Sequence, residues 1–142
     1  MLGLLNISEA MSIALHACVW LADDPERFHS ARRMAAKLGF SPHHCAKILQ
    51  QLVRSGILET ERGPAGGARL ARPPAEVTLL EIYGAVGGNP AYKGCLLKRN
   101  ICKGDACALG KLMSNENKRL IGLLKDVTLA GVVSSLKKNR SG

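Results

Sequence analysis

The 142-residue chain carries 20 Lys and Arg against 11 Asp and Glu, a formal net charge of +9, with 46% hydrophobic and 4% aromatic residues. A chain of this size buries one respectable core with an appended element but not two independent cores, and its excess charge points to a polyanionic partner, because cations that neutralise phosphates gain from counterion release. It shows no nucleotide-binding glycine fingerprint, paired carboxylate motif or second cysteine set, which argues against an enzyme or electron carrier.

Ser8 caps a helix expected from about Glu9 to Leu21, with Ile13, Ala14, Ala17, Cys18 and Leu21 on one face. Its apolar window, residues 10–22, falls short of the roughly 20 residues of a membrane span, contains His16 and has no basic region before it. A buried helix in a cytoplasmic chain, with no targeting signal and no membrane partner, is therefore expected. Asp23, Asp24 and Pro25 end that helix, and Ser30 opens a short one closed by Gly39. Ser41-Pro42 then starts a third helix, with Cys45, Ile48, Leu49, Leu52 and Val53 inward and polar side chains outward. Cys18 and Cys45 fall on apolar faces and read as inert buried thiols; Trp20 reads as core, and His29, His43 and His44 as surface or phosphate-contacting groups.

Next, ILETERGPAGGARLARPP alternates and breaks at glycines, predicting a two-stranded ribbon whose tip carries Arg62 and Arg69. Thr78 begins a helix over TLLEIYGAVGG that covers the first three. A loop holding Cys95, Cys102 and Cys107 follows. The pattern then predicts one long helix from about Ala108 to Leu136, and a disordered KKNRSG tail. The length of that helix favours a dimer seam at Leu112, Leu120, Leu123, Leu124 and Val127.

Fold class is thus mainly α with a small β-wing: a winged helix-turn-helix over residues 1–74, a linking helix and cysteine sensor loop over 75–107, and a dimerisation helix with a basic tail over 108–142. Between Phe28 and Arg72 there are eight Lys or Arg against two Glu, which concentrates charge where phosphates need it. Two helices around a tight turn place the second in a major groove, so Ser41, His43, His44, Lys47 and Gln51 are candidate base readers, with Arg32 on the helix before and Arg62 and Arg69 aimed at a minor groove.

The residues AMSIALHACVWLA, the helix pair, the RGPAGG wing, TLLEIYGAVGG and three cysteines before a long helix resemble the bacterial winged-helix regulators of the iron-sulfur cluster regulator (IscR) and nitric oxide-sensitive repressor (NsrR) type, over essentially the whole chain. The resemblance implies a homodimer on a roughly palindromic double-stranded operator, often a repressor controlled by an iron-sulfur cluster of the 2Fe-2S or 4Fe-4S type. It makes Cys95, Cys102 and Cys107 the cluster ligands. Thiolates suit iron, and Lys93, Lys98, Arg99 and Lys103 favour the thiolate form. The family's two five-residue gaps are six and four here, with the overall span kept. The place of the family's fourth-ligand histidine is Gly110, and that of its acidic alternative is Ser12, which leaves Glu9, His16 and Asp105 as candidates. Zinc held by three Cys plus Asp or His, and a metal-free thiol switch answering a partner protein or small thiol, are the competing readings.

Overall fold

The structure, a computed structural model, describes residues 7–88, Pro90 and residues 107–141. Cys95, Cys102 and Asp105 lie outside the described residues. Serine hydroxyls set the first three helix starts: Ser8 accepts from the Met11 amide, Ser30 from that of Arg33 and Ser41 from that of His44. Each satisfies an amide that the first helical turn leaves unpaired. The helices are α1 (Glu9–Asp23), α2 (Ala31–Leu38) and α3 (Pro42–Arg54). Between α2 and α3 the chain reverses at Gly39, whose φ of 76° suits glycine and whose amide reaches back to the Ala35 carbonyl.

Strands β1 (Leu58–Glu61) and β2 (Gly67–Leu70) pair antiparallel, with Leu58 opposite Leu70 at the buried base and Glu61 opposite Gly67 towards the tip. A short 3-10 turn, Pro74–Glu76, leads to α4 (Leu79–Gly87), which opens on a reciprocal cap: Thr78 Oγ1 accepts from the Glu81 amide while Glu81 accepts from the Thr78 amide. The core joins Ile13, Cys18 and Leu21 of α1, Met34 of α2 and Leu52 of α3 with Ile57, Ile82 and Leu129. Each such aliphatic side chain contributes about 1.5–3 kcal/mol on burial.

Three expectations are corrected. The C-terminal region is two helices, α5 (Ala108–Asp126) and α6 (Leu129–Ser141), with Val127 and Thr128 extended between them. There the Val127 carbonyl accepts the Leu79 amide and the Leu129 amide donates to Val77, so backbone pairing with the start of α4 replaces helical bonding. Val127 is thereby tied into its own chain, and Leu129 and Val133 belong to the core rather than to a continuing seam. Residues 137–141, expected to be disordered, are the end of α6. His29, read as a surface group, is buried, with its ring edge-on to Trp20 at a centroid distance of 5.9 Å.

Candidate nucleic-acid interface and cysteine loop

The cap at Ser41 turns the first residues of α3 outward. His43 and Lys47 are exposed there, whereas His44 is half-buried with Nδ1 3.6 Å from the Glu9 carboxylate of α1. Gln51 is also half-buried and its amide oxygen is enclosed without a hydrogen-bond partner, so it reaches inward more than its sequence position suggested. Arg32 is exposed on α2, and Arg62 is exposed beside the wing tip.

Arg69 is not at the tip. It lies within β2, where Nε donates to Glu59 Oε1 at 2.6 Å, one Nη donates to the Glu26 carbonyl at 3.2 Å, and the guanidinium sits 4.4 Å above the centroid of Phe28. Engaged on three sides, Arg69 braces the base of the wing. The clasp that orients the wing also involves His29, whose amide and carbonyl pair with Ala68. Sequence reasoning missed it because the contact is made by backbone, which no side-chain pattern announces.

Three cysteines are described, and they differ in kind. Cys18 and Cys45 are buried; burial pushes the Cys18 thiol up to about 12 and raises that of Cys45. Neither is suited to ligation as a thiolate. Cys107 is partly exposed and caps α5, its Sγ accepting the Gly110 amide at 3.4 Å. The other end of the cysteine loop is tied to the same helix, since Asn117 Nδ2 donates to the Pro90 carbonyl at 2.8 Å. Asn117 lies in the polar run Ser114–Arg119, so nothing in the sequence singled it out from its neighbours.

Glu9 and His16 stand on α1, where Glu9 faces His44 and His16 Nδ1 bonds the Ser12 carbonyl at 2.6 Å. Ile7, Met11 and Leu15, at the start of α1, share a groove with Leu120 and Leu124 of α5. At 1.5 Å per residue that zone begins about 20 Å along the helix from Cys107. Among the described residues no group of three His, Cys, Asp or Glu is placed to hold a metal ion.

A family model described as "Rrf2: Iron-dependent Transcriptional regulator" matches residues 7–135. The chain belongs to the Rrf2 family. BadM of Rhodopseudomonas palustris, an HTH-type transcriptional regulator by name, is 41% identical over 78 residues, 55% of this chain and 50% of BadM, so the chain matches only half of that relative. The HTH-type transcriptional regulator NsrR of Geobacillus kaustophilus is 32% identical over 106 residues, 74% of this chain and 69% of NsrR. Among solved structures, CymR, the global cysteine regulator of B. subtilis, superposes with a TM-score of 0.79 over 93% of this chain and 98% of CymR at 21% identity, a likeness of fold. The Rrf2 chain is accordingly a winged-helix, DNA-binding transcriptional regulator, as the names of BadM and NsrR also describe those relatives. No described helix is long and apolar enough to cross a membrane.

Proposed function

We propose that this Rrf2 protein is a homodimeric repressor that binds a pseudo-palindromic operator and is controlled through the loop carrying Cys95, Cys102 and Cys107. The observation that carries the reading is the position of Cys107: its partly exposed sulfur sits at the N-terminus of α5, at the end of a loop whose start is bonded to the same helix. A helix N-terminus favours negative charge, which suits an anionic, thiolate-ligated group. On this reading Cys95, Cys102 and Cys107, three thiolates in a basic segment, would hold an iron-sulfur cluster. When bound, such a cluster supplies an iron centre sensitive to oxidation and nitrosylation. The fourth ligand would come from the loop, where Asp105 stands, or from a second copy, since Glu9 and His16 of the same chain are engaged away from Cys107.

The protein's own contribution is mechanical. Loop ends fixed at Asn117 and Cys107 transmit a change of loop shape to α5, which packs on α4, which packs on α1 and α3. The spacing of two recognition helices then responds. Leu109, Leu112, Met113, Leu120 and Leu123 form an exposed apolar face of α5 that a second α5 would cover. Dimerisation would present two copies of α3 to successive major grooves, about 34–36 Å apart.

Gly110, standing where the two-iron regulator has a histidine, favours a second reading, a metal-free thiol switch. Anaerobic purification with iron and acid-labile sulfide analysis, wild type against Cys102→Ser, separates the two. Brown, sulfide-containing wild type and colourless Cys102→Ser support the cluster; sulfide-free wild type after reconstitution overturns it. Equal operator binding by loaded and metal-free protein overturns control by a cluster.

A further inference from the structure

Helices α1, α2 and α6 line a concavity of about 410 Å³ to which the recognition helix α3 contributes no residue. Its volume lies within the roughly 300–1,000 Å³ typical of small-molecule sites. The floor is apolar, built by Val19 and Trp20 of α1, Leu38 of α2, and Val133 and Leu136 of α6. Its margin is cationic, with Lys37 from α2 and Lys137 and Arg140 from α6. Asp23, the one acid on the lining, is already matched by Lys137 at 3.7 Å. Among the described residues Lys37 and Arg140 have no ion-pair partner, and both are exposed. His16 adds a ring whose Nδ1 is occupied by the Ser12 carbonyl.

We propose that this concavity binds a small organic monoanion with an apolar body, of the class of a medium-chain or aryl carboxylate. The two halves of the lining ask for the two halves of such a molecule. An inorganic anion would leave the Trp20 and Val133 surface wet, and a neutral hydrocarbon would leave two cations unmatched. Arg140 offers the planar fork that pairs a carboxylate with two parallel hydrogen bonds, and Lys37 offers a point charge from the facing helix. The carboxylate would thus lie between α2 and α6 while its apolar body covers the indole.

Trp20 is the only tryptophan in the chain, so its emission reports directly on this site. Full-length protein is titrated with octanoate while tryptophan emission is followed, and the affinity is measured independently by calorimetry. The expected result is a saturable emission change with 1:1 stoichiometry per chain, not reproduced by octanamide or by inorganic phosphate. The double variant Lys37→Ala, Arg140→Ala is expected to weaken octanoate binding about tenfold or more, as loss of a charge-assisted hydrogen bond requires, and Arg140→Lys to recover part of the loss. Both side chains are exposed, and circular dichroism with the thermal midpoint checks that the variants fold. Unchanged emission and no heat with octanoate overturn the proposal. So does octanamide binding as tightly as octanoate, phosphate displacing octanoate at equal affinity, or undiminished binding by the double variant. None of these readouts depends on operator binding or on the state of the cysteines.

Discussion

His29 and Ala68 exchange two backbone hydrogen bonds, His29 N–H to the Ala68 carbonyl at 2.9 Å and Ala68 N–H to the His29 carbonyl at 2.8 Å, and so fasten the second strand of the wing to the residue before the cap of α2. The wing is thereby a third partner of the helix pair, oriented by backbone. Gly67 makes the approach possible: its φ is 143°, and a Cβ there would overlap the His29 carbonyl. Gly67→Ala is expected to destabilise the protein by about 2–4 kcal/mol, read from urea unfolding, and to lower operator affinity in the variant that remains folded. Unchanged stability would mean that the strand is not held against His29.

The two wing arginines are expected to behave oppositely. Arg62 is exposed beside the tip, so Arg62→Ala should cost about 1–3 kcal/mol of operator binding at fixed salt and leave the thermal midpoint alone. Arg69 is held by Glu59, the Glu26 carbonyl and Phe28, so Arg69→Ala should lower stability by about 1 kcal/mol. Binding isotherms and thermal melts of both variants check the division.

Cysteine reactivity should divide sharply. Iodoacetamide applied to native, reduced, metal-free protein is expected to label Cys107 and spare Cys18 and Cys45, because the first is partly exposed and burial raises the other two thiols, Cys18 to about 12. Peptide mass spectrometry before and after unfolding reads this directly. Labelling of Cys18 at the rate of Cys107 would show that the core opens.

The apolar face of α5 predicts the assembly. Leu112 and Leu123 are 56% and 59% exposed, so replacing both with Glu should leave the fold intact and yield a monomer in analytical ultracentrifugation. Losing the second half-site contact is expected to cut operator affinity by about a hundredfold or more. A dimer that survives the double substitution would place the seam elsewhere.

Stability should fall on mild acidification. Burial lowers the His29 pKa from its ordinary 6.5, Asp24 opposes the shift, and Arg27 and Arg33 reinforce it. Below about 6.5 the unfolded chain therefore binds a proton that the folded chain declines, so stability is full above that pH and is lost as pH drops beneath it. A second loss comes at lower pH. Partial burial would raise the Glu81 carboxyl, but the Thr78 amide and the Arg72 guanidinium outweigh it and hold it below its ordinary 4.5, so its contribution disappears as pH falls through the acid range. Urea midpoints at pH 7.5 and 5.5 are expected to differ in wild type and to converge in His29→Phe.

The local elements were written where short-range chemistry decides them. Ser8, Ser30, Ser41 and Thr78 each accept the amide their spacing predicted, and Cys45, Ile48, Leu49 and Leu52 bury as one stripe. The break at Val127 and Thr128 was invisible for the opposite reason: apolar periodicity continues through it, and the backbone partners that displace helical bonds come from residues 77–79, about fifty positions earlier.

Caps, turns and periodic faces depend on neighbours within a few residues, so the order of residues alone determined the helix-turn-helix, the wing and the placement of a partly exposed cysteine at the start of α5. Which charged and polar groups remain free to act was decided only by the tertiary structure. Arg69 is spent on Phe28 and Glu59, His29 is enclosed beside Trp20, and Lys37 meets Arg140 across a cavity, because packing brings together groups far apart in sequence and burial then sets their availability to solvent and ligand.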